Sequence, residues 1–294
     1  MQSGKVSIEW LLFVAVGITF GAVLALWYLA DSGLNREYDV PRAAFTMPSG
    51  PEVVAEGERL AQVRGCFWCH GPQLEGQKYF AEHQRGLIVV APDLTRKIRE
   101  YTPAEFARTV RNGVRPDNTS LQPAMPSFAF YNMSDADMGA IMAYIKSLPE
   151  QQGLEGEFRL LPLGWWRWVA GELPPNVAEL IDHDAPRPDP AVDGAPVARG
   201  RYLAESICTE CHSDGGRIRV PGSPDLIVAS AYNRADFFRL MREGITVGER
   251  DIDYHMVDAS KYRYTYLYDD EVDALYAYFR SLASAPVDVA QNIR

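Results

Sequence analysis

The pattern Cys-x-x-Cys-His occurs twice in this chain and constrains it more than any other feature. The first copy contributes Cys66, Cys69 and His70, and the second contributes Cys208, Cys211 and His212. These two copies use all four cysteines of the sequence. In this pattern two thiols add across the vinyl groups of a haem, and the adjoining histidine takes one axial position on the iron. The sequence therefore predicts two covalently bound haem c groups.

Other uses of paired cysteines fit less well. Zinc sites built from two Cys-x-x-Cys pairs space them by tens of residues, whereas Cys66 and Cys208 are 142 positions apart. A thioredoxin-like redox pair needs no histidine directly after its second cysteine, and here the histidine follows twice. Haem attachment is the interpretation that explains both copies.

The composition indicates a globular, acidic protein. Of 294 residues, 47% are hydrophobic and 23% are charged, the formal net charge is −10 and the isoelectric point is near 5.1. The negative charge argues against nucleic acid as a partner, because nucleic-acid binding depends on neutralising phosphates. An acidic surface suits docking to a basic patch on a redox partner protein, and it equally suits simple solubility.

An uncharged stretch near the N-terminus predicts a membrane anchor. Residues 10–30 form 21 positions bounded by Glu9 and Asp31, which as a helix would span about 31 Å, the thickness of the hydrocarbon core of a bilayer. A secretory signal peptide is the alternative, but its apolar region is usually shorter and ends in a small-x-small cleavage site. Because haem is attached in this way outside the cytoplasm, we expect a single-pass protein of the bacterial inner membrane with its haem domains on the periplasmic side.

An internal repeat indicates two modules of one kind. Gly57, the first haem motif, Pro92-Asp93-Leu94, Gly113 and Met125 recur in order as Gly200, the second motif, Pro224-Asp225-Leu226, Gly244 and Met256. The predicted division is an anchor at 1–36, domains at 50–149 and 197–285, and a linker at 150–196.

The coarse reading of the modules is helical. Helices are predicted at 52–65, 102–112, 197–208 and 234–243, with closing helices that begin after caps at Ser134 and Asp269. The proline-rich linker is predicted to be an extended connector. Its segment Trp165-Trp166-Arg167-Trp168 suits a membrane-interface contact, a subunit contact or packing between the two modules.

The repeat also selects candidates for the second axial ligand of each iron. Met125 follows Gly113 by 12 residues, and Met256 follows Gly244 by the same interval. A thioether at the same position of both modules predicts His/Met ligation, by His70 with Met125 and by His212 with Met256. His255 directly precedes Met256 and is the alternative ligand. The Pro-Asp-Leu segments either supply a backbone hydrogen bond to the haem-ligating histidine or serve as caps and turns.

With these landmarks, each module resembles a class I cytochrome c domain. The resemblance implies an all-α fold in which the first and last helices cross through Gly57 with Tyr144 and through Gly200 with Tyr278. The tandem arrangement behind an anchor resembles membrane-anchored dihaem cytochromes, including dihaem subunits of respiratory complexes and cytochrome subunits of membrane dehydrogenases. The second module departs from the pattern by three extra residues before its closing tyrosine. These bring tyrosines to alternate positions from 262 to 268, which predicts an extended segment.

This resemblance implies electron transfer between redox partner proteins, as a subunit of a respiratory or photosynthetic complex and with no catalytic site of its own. A free-standing, membrane-anchored electron shuttle is one alternative. A dihaem peroxidase is another, but it requires one haem with an open or displaceable ligand position.

Overall fold

The computed structural model describes residues 7–82, 86–188, 195–212 and 223–283, and this part of the chain is mostly helical. Its helices are α1 (Ile8–Leu34), α2 (Pro51–Val63), α3 (Cys66–His70), α4 (Leu94–Glu100), α5 (Pro103–Asn112), α6 (Ser127–Phe130), α7 (Asp135–Ser147), α8 (Pro162–Val169), α9 (Pro196–Ile207), α10 (Arg234–Glu243), α11 (Tyr254–Tyr262) and α12 (Asp269–Leu282). Its strands are β1 (Gln77–Glu82), β2 (Leu87–Ala91) and β3 (Glu157–Leu160). Short 3₁₀ turns cover Val177–Leu180, Cys208–Glu210, Leu226–Ala231, Val247–Glu249 and Tyr264–Tyr266.

Helix α1 is the apolar helix predicted near the N-terminus. Ser7 caps it by accepting a hydrogen bond from the backbone N–H of Trp10. Within the described residues, it alone is long and apolar enough to cross a membrane. Its large apolar side chains are exposed along most of its length, whereas Ala30 and Leu34 near its end join a buried cluster with residues of β2, β3 and α8. The helix therefore projects from the protein and is packed against it only at its C-terminal end.

The first helical unit is built around the crossing of α2 and α7. Its core includes Leu60, Phe106, Met138, Met142 and Ile145, so Met138 and Met142 serve as packing residues. The predicted helix starts are confirmed at α5, where Thr102 and Glu105 form a capping box, and at α7, where Ser134 accepts from the N–H of Asp137. These caps satisfy backbone donors that would otherwise lack partners at the start of each helix.

The second helical unit repeats this arrangement with α9 and α12. Its core includes Leu203, Phe237, Met241, Leu275 and Phe279. The predicted start of α10 after Asn233 is confirmed, because the Asn233 side chain accepts from the N–H of Asp236. The predicted cap at Asp269 is wrong by one position. Tyr268 precedes the helix, and its N–H donates to the carboxylate of Glu271 over 2.8 Å.

The tyrosine-rich insertion of the second unit is not extended as predicted. Tyr262 ends α11, and Tyr264 to Tyr266 form a 3₁₀ turn. Tyr264 alone of the four alternating tyrosines is buried, and the other three side chains are exposed. The alternation along the sequence therefore reflects one anchoring tyrosine among solvent-exposed ones, not the two faces of a strand.

The expectation of an all-α fold is wrong in one respect. The strands β1, β2 and β3 form an antiparallel sheet in that order. His70 precedes Pro92 by 22 residues, whereas His212 precedes Pro224 by 12. The longer interval of the first unit contains β1 and β2, and the run Leu87-Ile88-Val89-Val90 has the β-branched character of a buried strand.

The segment between the two units is folded along much of its length, which contradicts the prediction of an extended connector. Its residues 157–160 form β3, and α8 packs on the C-terminal end of α1. The linker tryptophans Trp165 and Trp168 belong to this cluster and do not join the two helical units. Trp68, within the first haem motif, does contact the other unit, since it packs against the core of the second unit.

Candidate functional site

The first Cys-x-x-Cys-His motif forms the short helix α3. It follows Gly65, whose φ of +70° lies in the left-handed region and turns the chain sharply out of α2. Cys66 and Cys69 are three residues apart, and His70 is four from Cys66, so a helical turn brings the three side chains to one side. The motif thus presents two thiols and an imidazole together.

The second motif also adopts a helical turn, immediately after α9. The N–H of Cys211 donates to the carbonyl of Cys208 over 3.2 Å, and the N–H of His212 donates to the same carbonyl over 2.9 Å. The second set of two thiols and an imidazole therefore has the local arrangement of the first.

The two histidines are oriented in the same way. Nδ1 of His70 lies 2.8 Å from the carbonyl oxygen of Pro92, and Nδ1 of His212 lies 2.8 Å from that of Pro224. A carbonyl can only accept, so each Nδ1 carries the proton and each Nε2 has the lone pair that binds a metal. The predicted backbone hydrogen bond to each histidine is confirmed.

The aspartates of the Pro-Asp-Leu segments have the second predicted role, that of caps. Asp93 is buried and caps α4, because its carboxylate accepts from the N–H of Arg96 in the first turn of that helix. Asp225 accepts from the N–H of Ile227 at the next 3₁₀ turn. The proline carbonyl holds the imidazole while the following aspartate fixes the path of the chain, so both readings of the segment apply.

Burial sets the protonation of the first motif. It raises the pKa of the Cys66 thiol to about 12, although the cations Arg263 and Arg64 act in the opposite direction. Burial lowers the pKa of His70, against the hydrogen bond to Pro92. The imidazole is therefore neutral at pH 7, the form that binds iron. In the second motif burial raises the pKa of Cys208 to about 12 and that of Cys211 to about 11.

The two candidate methionines lie at different kinds of position. Met125 is in a turn between α5 and α6, partly buried against the core of the first unit. Met256 is in the first turn of α11 and packs against the core of the second unit. His255 is exposed, and its Nδ1 lies 2.7 Å from the carboxylate of Asp253. The His255 side chain is thus already held at the surface, whereas the Met256 thioether faces apolar groups.

These donor sets match the needs of a covalently attached haem c. Each motif supplies two thiols for the vinyl groups and an imidazole whose Nδ1 is fixed by a carbonyl, which leaves Nε2 for iron. No group of three or more His, Cys, Asp or Glu residues suited to a metal ion occurs in the part of the chain that the structure describes.

Comparison with known proteins identifies the first unit. The family model "Cytochrome c" matches residues 54–149, which include the first haem motif and Met125. Residues 54–149 are a cytochrome c domain. A cytochrome c domain implies a covalently bound haem c, and the Cys-x-x-Cys-His motif within it is the predicted attachment site.

Similarity to curated proteins extends over most of the chain. It is 27% identical to the cytochrome c subunit of an alcohol dehydrogenase (quinone) from Gluconacetobacter polyoxogenes, in an alignment covering 92% of this chain and 62% of that protein. It is 28% identical to the gluconate 2-dehydrogenase cytochrome c subunit of Pantoea cypripedii (82% and 62%) and 26% identical to the fructose dehydrogenase cytochrome subunit of Gluconobacter japonicus (78% and 52%). The chain thus spans between half and two thirds of the length of these relatives.

Sequence reasoning missed the charged residues around the motifs. Arg64 and Arg263 are buried, and both contact the other helical unit. Arginine is a poor predictor of burial because most arginines lie at the surface. One sequence signal was available for Arg64. It lies two residues before Cys66, so its side chain has to lie close to the haem motif.

Proposed function

We propose that this chain is a membrane-tethered dihaem c-type cytochrome that transfers electrons as a subunit of a dehydrogenase-type electron-transfer complex. Each haem would supply reversible one-electron chemistry at its iron. The protein would attach both haems, fix their axial ligands, exclude water and set their potentials. This function needs no acid–base pair in the chain.

The observation that carries the proposal is the duplicated geometry of the histidines. The 2.8 Å contact from Nδ1 to a proline carbonyl occurs at His70, inside the matched cytochrome c domain, and again at His212, outside it. The close contact of Gly57 with Tyr144 is repeated at Gly200 with Tyr278. The same solution in two units supports a second haem at Cys208, Cys211 and His212, and a second cytochrome c domain around it.

The positions of the methionines support His/Met ligation in both units. Met125 and Met256 each lie partly buried beside the core of their own unit. The bond from His255 to Asp253 favours Met256 over His255 as the second ligand. A thioether ligand favours the reduced iron and suits an electron carrier.

Helices α1 and α8 support attachment to a membrane, which we propose to be the bacterial inner membrane with the haem units on its periplasmic side. The exposed aromatic side chains Trp27 and Tyr28 lie just before the point where α1 becomes buried in the protein. Beside that point, α8 exposes Leu163, Trp166 and Val169. Tryptophan is enriched at the boundary between lipid and water, so α8 would lie along the membrane surface.

The relatives support a role within a complex, because they are cytochrome subunits of alcohol, gluconate and fructose dehydrogenases. By analogy, electrons would reach this chain from a dehydrogenase subunit that oxidises a small organic substrate. The net charge of −10 would allow salt-sensitive docking of a basic partner surface. A free-standing shuttle would require the same haem chemistry but no stable partner.

Haem stoichiometry tests the proposal directly. The full-length chain, expressed with a haem-attachment system and purified in detergent, should carry two covalent haems per polypeptide by the pyridine haemochrome assay. The double variant Cys208→Ala/Cys211→Ala should carry one, and Cys66→Ala/Cys69→Ala should also carry one. A wild-type ratio of one would refute the dihaem assignment, and the absence of a stoichiometric co-purifying protein from native membranes would favour the shuttle.

A further inference from the structure

One buried guanidinium contacts the backbone or side chains around both haem motifs. Arg263, which follows α11, is 5% exposed. Its Nη1 and Nη2 donate to the two carboxylate oxygens of Glu210 over 3.0 and 2.9 Å, and its Nε donates to the carbonyl of Val63 over 3.1 Å. Its guanidinium carbon lies 5.4 Å from the centre of the Trp68 ring.

The partners of Arg263 belong to the two attachment segments. Glu210 is the residue between Thr209 and Cys211 in the second motif, and Trp68 is the residue between Phe67 and Cys69 in the first. Arg263 therefore joins the variable positions of both motifs through one side chain.

The chain before the first motif is shaped around this side chain. Gly65 precedes Cys66, and a methyl group added to its Cα would lie 2.8 Å from Nε of Arg263. Trp68 packs against the core of the second unit. Position 65 therefore has no room for a side chain while Arg263 keeps its place.

A second arginine reinforces the same junction. Arg64 is 2% exposed, and its charge is paired with the carboxylate of Asp137 over 2.7 Å. It also donates to the carbonyl of Ser206 and to the hydroxyl of Tyr202 over 3.1 Å each, and these two acceptors lie in α9, which leads into the second motif. The two helical units are thus joined through the residues that flank their haem attachment points.

The pairing of Arg263 with Glu210 has an electrostatic consequence. Burying either ion alone is strongly unfavourable, and a bidentate partner offsets that cost. When the two ions are paired, their opposite electrostatic effects on more distant groups largely cancel. Either charge alone would act strongly on nearby redox groups because the surroundings are low in dielectric constant.

We propose that Arg263 and Glu210 are positioning residues that hold the two haem attachment segments side by side and keep the space between them free of net charge. This inference rests on the proposed function, since it assumes a haem at each motif. The pair then sets the haem potentials without belonging to either ligand set. A positive charge beside a haem favours the reduced form, and a negative charge favours the oxidised form.

The test is a spectroelectrochemical titration of the detergent-purified dihaem protein and its variants. Glu210→Gln leaves the buried cation unbalanced, so we expect the midpoint potential of at least one haem to rise, by about tenfold in the reduction equilibrium or ~59 mV for one electron. Arg263→Gln leaves the buried carboxylate of Glu210 unbalanced, so the midpoint potential of at least one haem should fall by a similar factor. The double variant Glu210→Gln/Arg263→Gln should return both potentials toward those of the wild type.

The double variant separates an electrostatic role from a purely structural one. It removes more contacts than either single change, so a structural effect would be larger in it, whereas an electrostatic effect would cancel because both charges are gone. Arg263→Lys keeps the positive charge but loses the bidentate hydrogen bonds to Glu210. The haem potentials of this variant should therefore stay near those of the wild type in any folded preparation. Asp273→Asn is the control for net charge, since Asp273 pairs with Arg234 on the exposed surface of the second unit, and it should shift neither haem.

Three results would contradict the proposed role of Arg263 and Glu210, and each can be told apart from the others. A wild-type protein with fewer than two haems refutes the proposed function and the redox role of the pair together. Two haems with no upward shift in Glu210→Gln refute the inference alone. Equal shifts of the same sign in Glu210→Gln and in the double variant also refute it, because they indicate a structural disturbance.

Discussion

Gly57 and Tyr144 touch where α2 crosses α7. A methyl group on Gly57 would lie 2.8 Å from Cβ of Tyr144 and would overlap the carbonyl oxygen of Ala140. Gly200 and Tyr278 repeat the relationship where α9 crosses α12, again with 2.8 Å to Cβ of the tyrosine and an overlap with the carbonyl of Ala274. Each crossing therefore has backbone against backbone, which only glycine permits.

Replacing either glycine by alanine should destabilise the protein. The added methyl group has to push two helices apart. We therefore expect Gly57→Ala and Gly200→Ala each to lower the free energy of unfolding by about 1–3 kcal/mol. Chemical denaturation followed by circular dichroism measures this change. Gly21→Ala is the control, because Gly21 is also helical and a methyl group added there would meet no other part of the protein within 4 Å. Unchanged stability in Gly57→Ala would contradict the observed crossing.

The methionine assignment makes a second prediction. Met125→Ala and Met256→Ala should each lower the potential of one haem and remove its low-spin His/Met spectrum, because the thioether ligand is lost. His255→Ala should change neither, since His255 is bonded to Asp253 at the surface. Redox titration with magnetic circular dichroism reports both effects. A haem that responds to His255→Ala but not to Met256→Ala would identify histidine as the ligand.

Asp93 makes the stability of the folded protein depend on pH in the acidic range. Its carboxylate accepts from the Thr95 hydroxyl over 2.6 Å and from the N–H of Gly153 over 3.1 Å. Burial opposes ionisation, but these hydrogen bonds prevail and hold the pKa of Asp93 below its ordinary value. A lowered folded-state pKa stabilises the protein above the unfolded value of about 3.9 and loses that stabilisation as pH falls through the folded value.

Asp93→Asn should therefore lower the free energy of unfolding by about 1 kcal/mol near neutral pH, because asparagine still caps the helix but hydrogen bonds to a neutral acceptor are weaker than those to a carboxylate. The difference between wild type and variant should shrink as the pH is lowered below about 4. Denaturant titrations at a series of pH values measure it. A difference that stays constant down to pH 2 would show that the charge of Asp93 has no part in its role.

Much of this architecture could be predicted from local patterns. The caps Thr102, Ser134 and Asn233 were recognisable because a side chain and a backbone donor three residues apart interact within one turn. The recurrence of Pro-Asp-Leu after each motif indicated, as one of two alternatives, the backbone hydrogen bond that orients His70 and His212. The caps depend on a few residues at fixed spacing, whereas the Pro-Asp-Leu segment was recognisable by its recurrence alone, since it follows the histidine after 22 residues in one unit and 12 in the other.

The rest depended on contacts between distant segments. Strand β3 lies more than 60 residues after β2 in the chain and pairs with it only in the folded protein. The α8 residues Trp165 and Trp168 pack in a cluster with the end of α1, and Trp68 packs against the core of the second unit. Periodicity describes the surroundings of one element, so it does not identify which of several apolar faces will meet.

Arg64 makes a prediction about the junction of the two helical units. Besides its contacts to α9, it donates to the carboxylate of Asp137 over 2.7 Å. Arg64→Gln should destabilise the protein by at least about 2 kcal/mol, because a charged hydrogen-bond network loses its centre. Arg239→Gln removes an exposed ion pair with Glu249 and should leave stability unchanged. Calorimetry that gives the same curve for Arg64→Gln and wild type would exclude the network from the junction.

The position of α8 at the membrane can be measured with a spin label. If all four cysteines hold haem, Trp166→Cys introduces the only free thiol, and a label there should be accessible to oxygen and shielded from a water-soluble relaxation agent in lipid nanodiscs. Tyr262→Cys is the matched control, because Tyr262 is 61% exposed and Trp166 is 59% exposed, but Tyr262 lies in the second unit, away from α1. Equal aqueous accessibility at the two positions would place α8 in water and would leave α1 as the sole described contact with the bilayer.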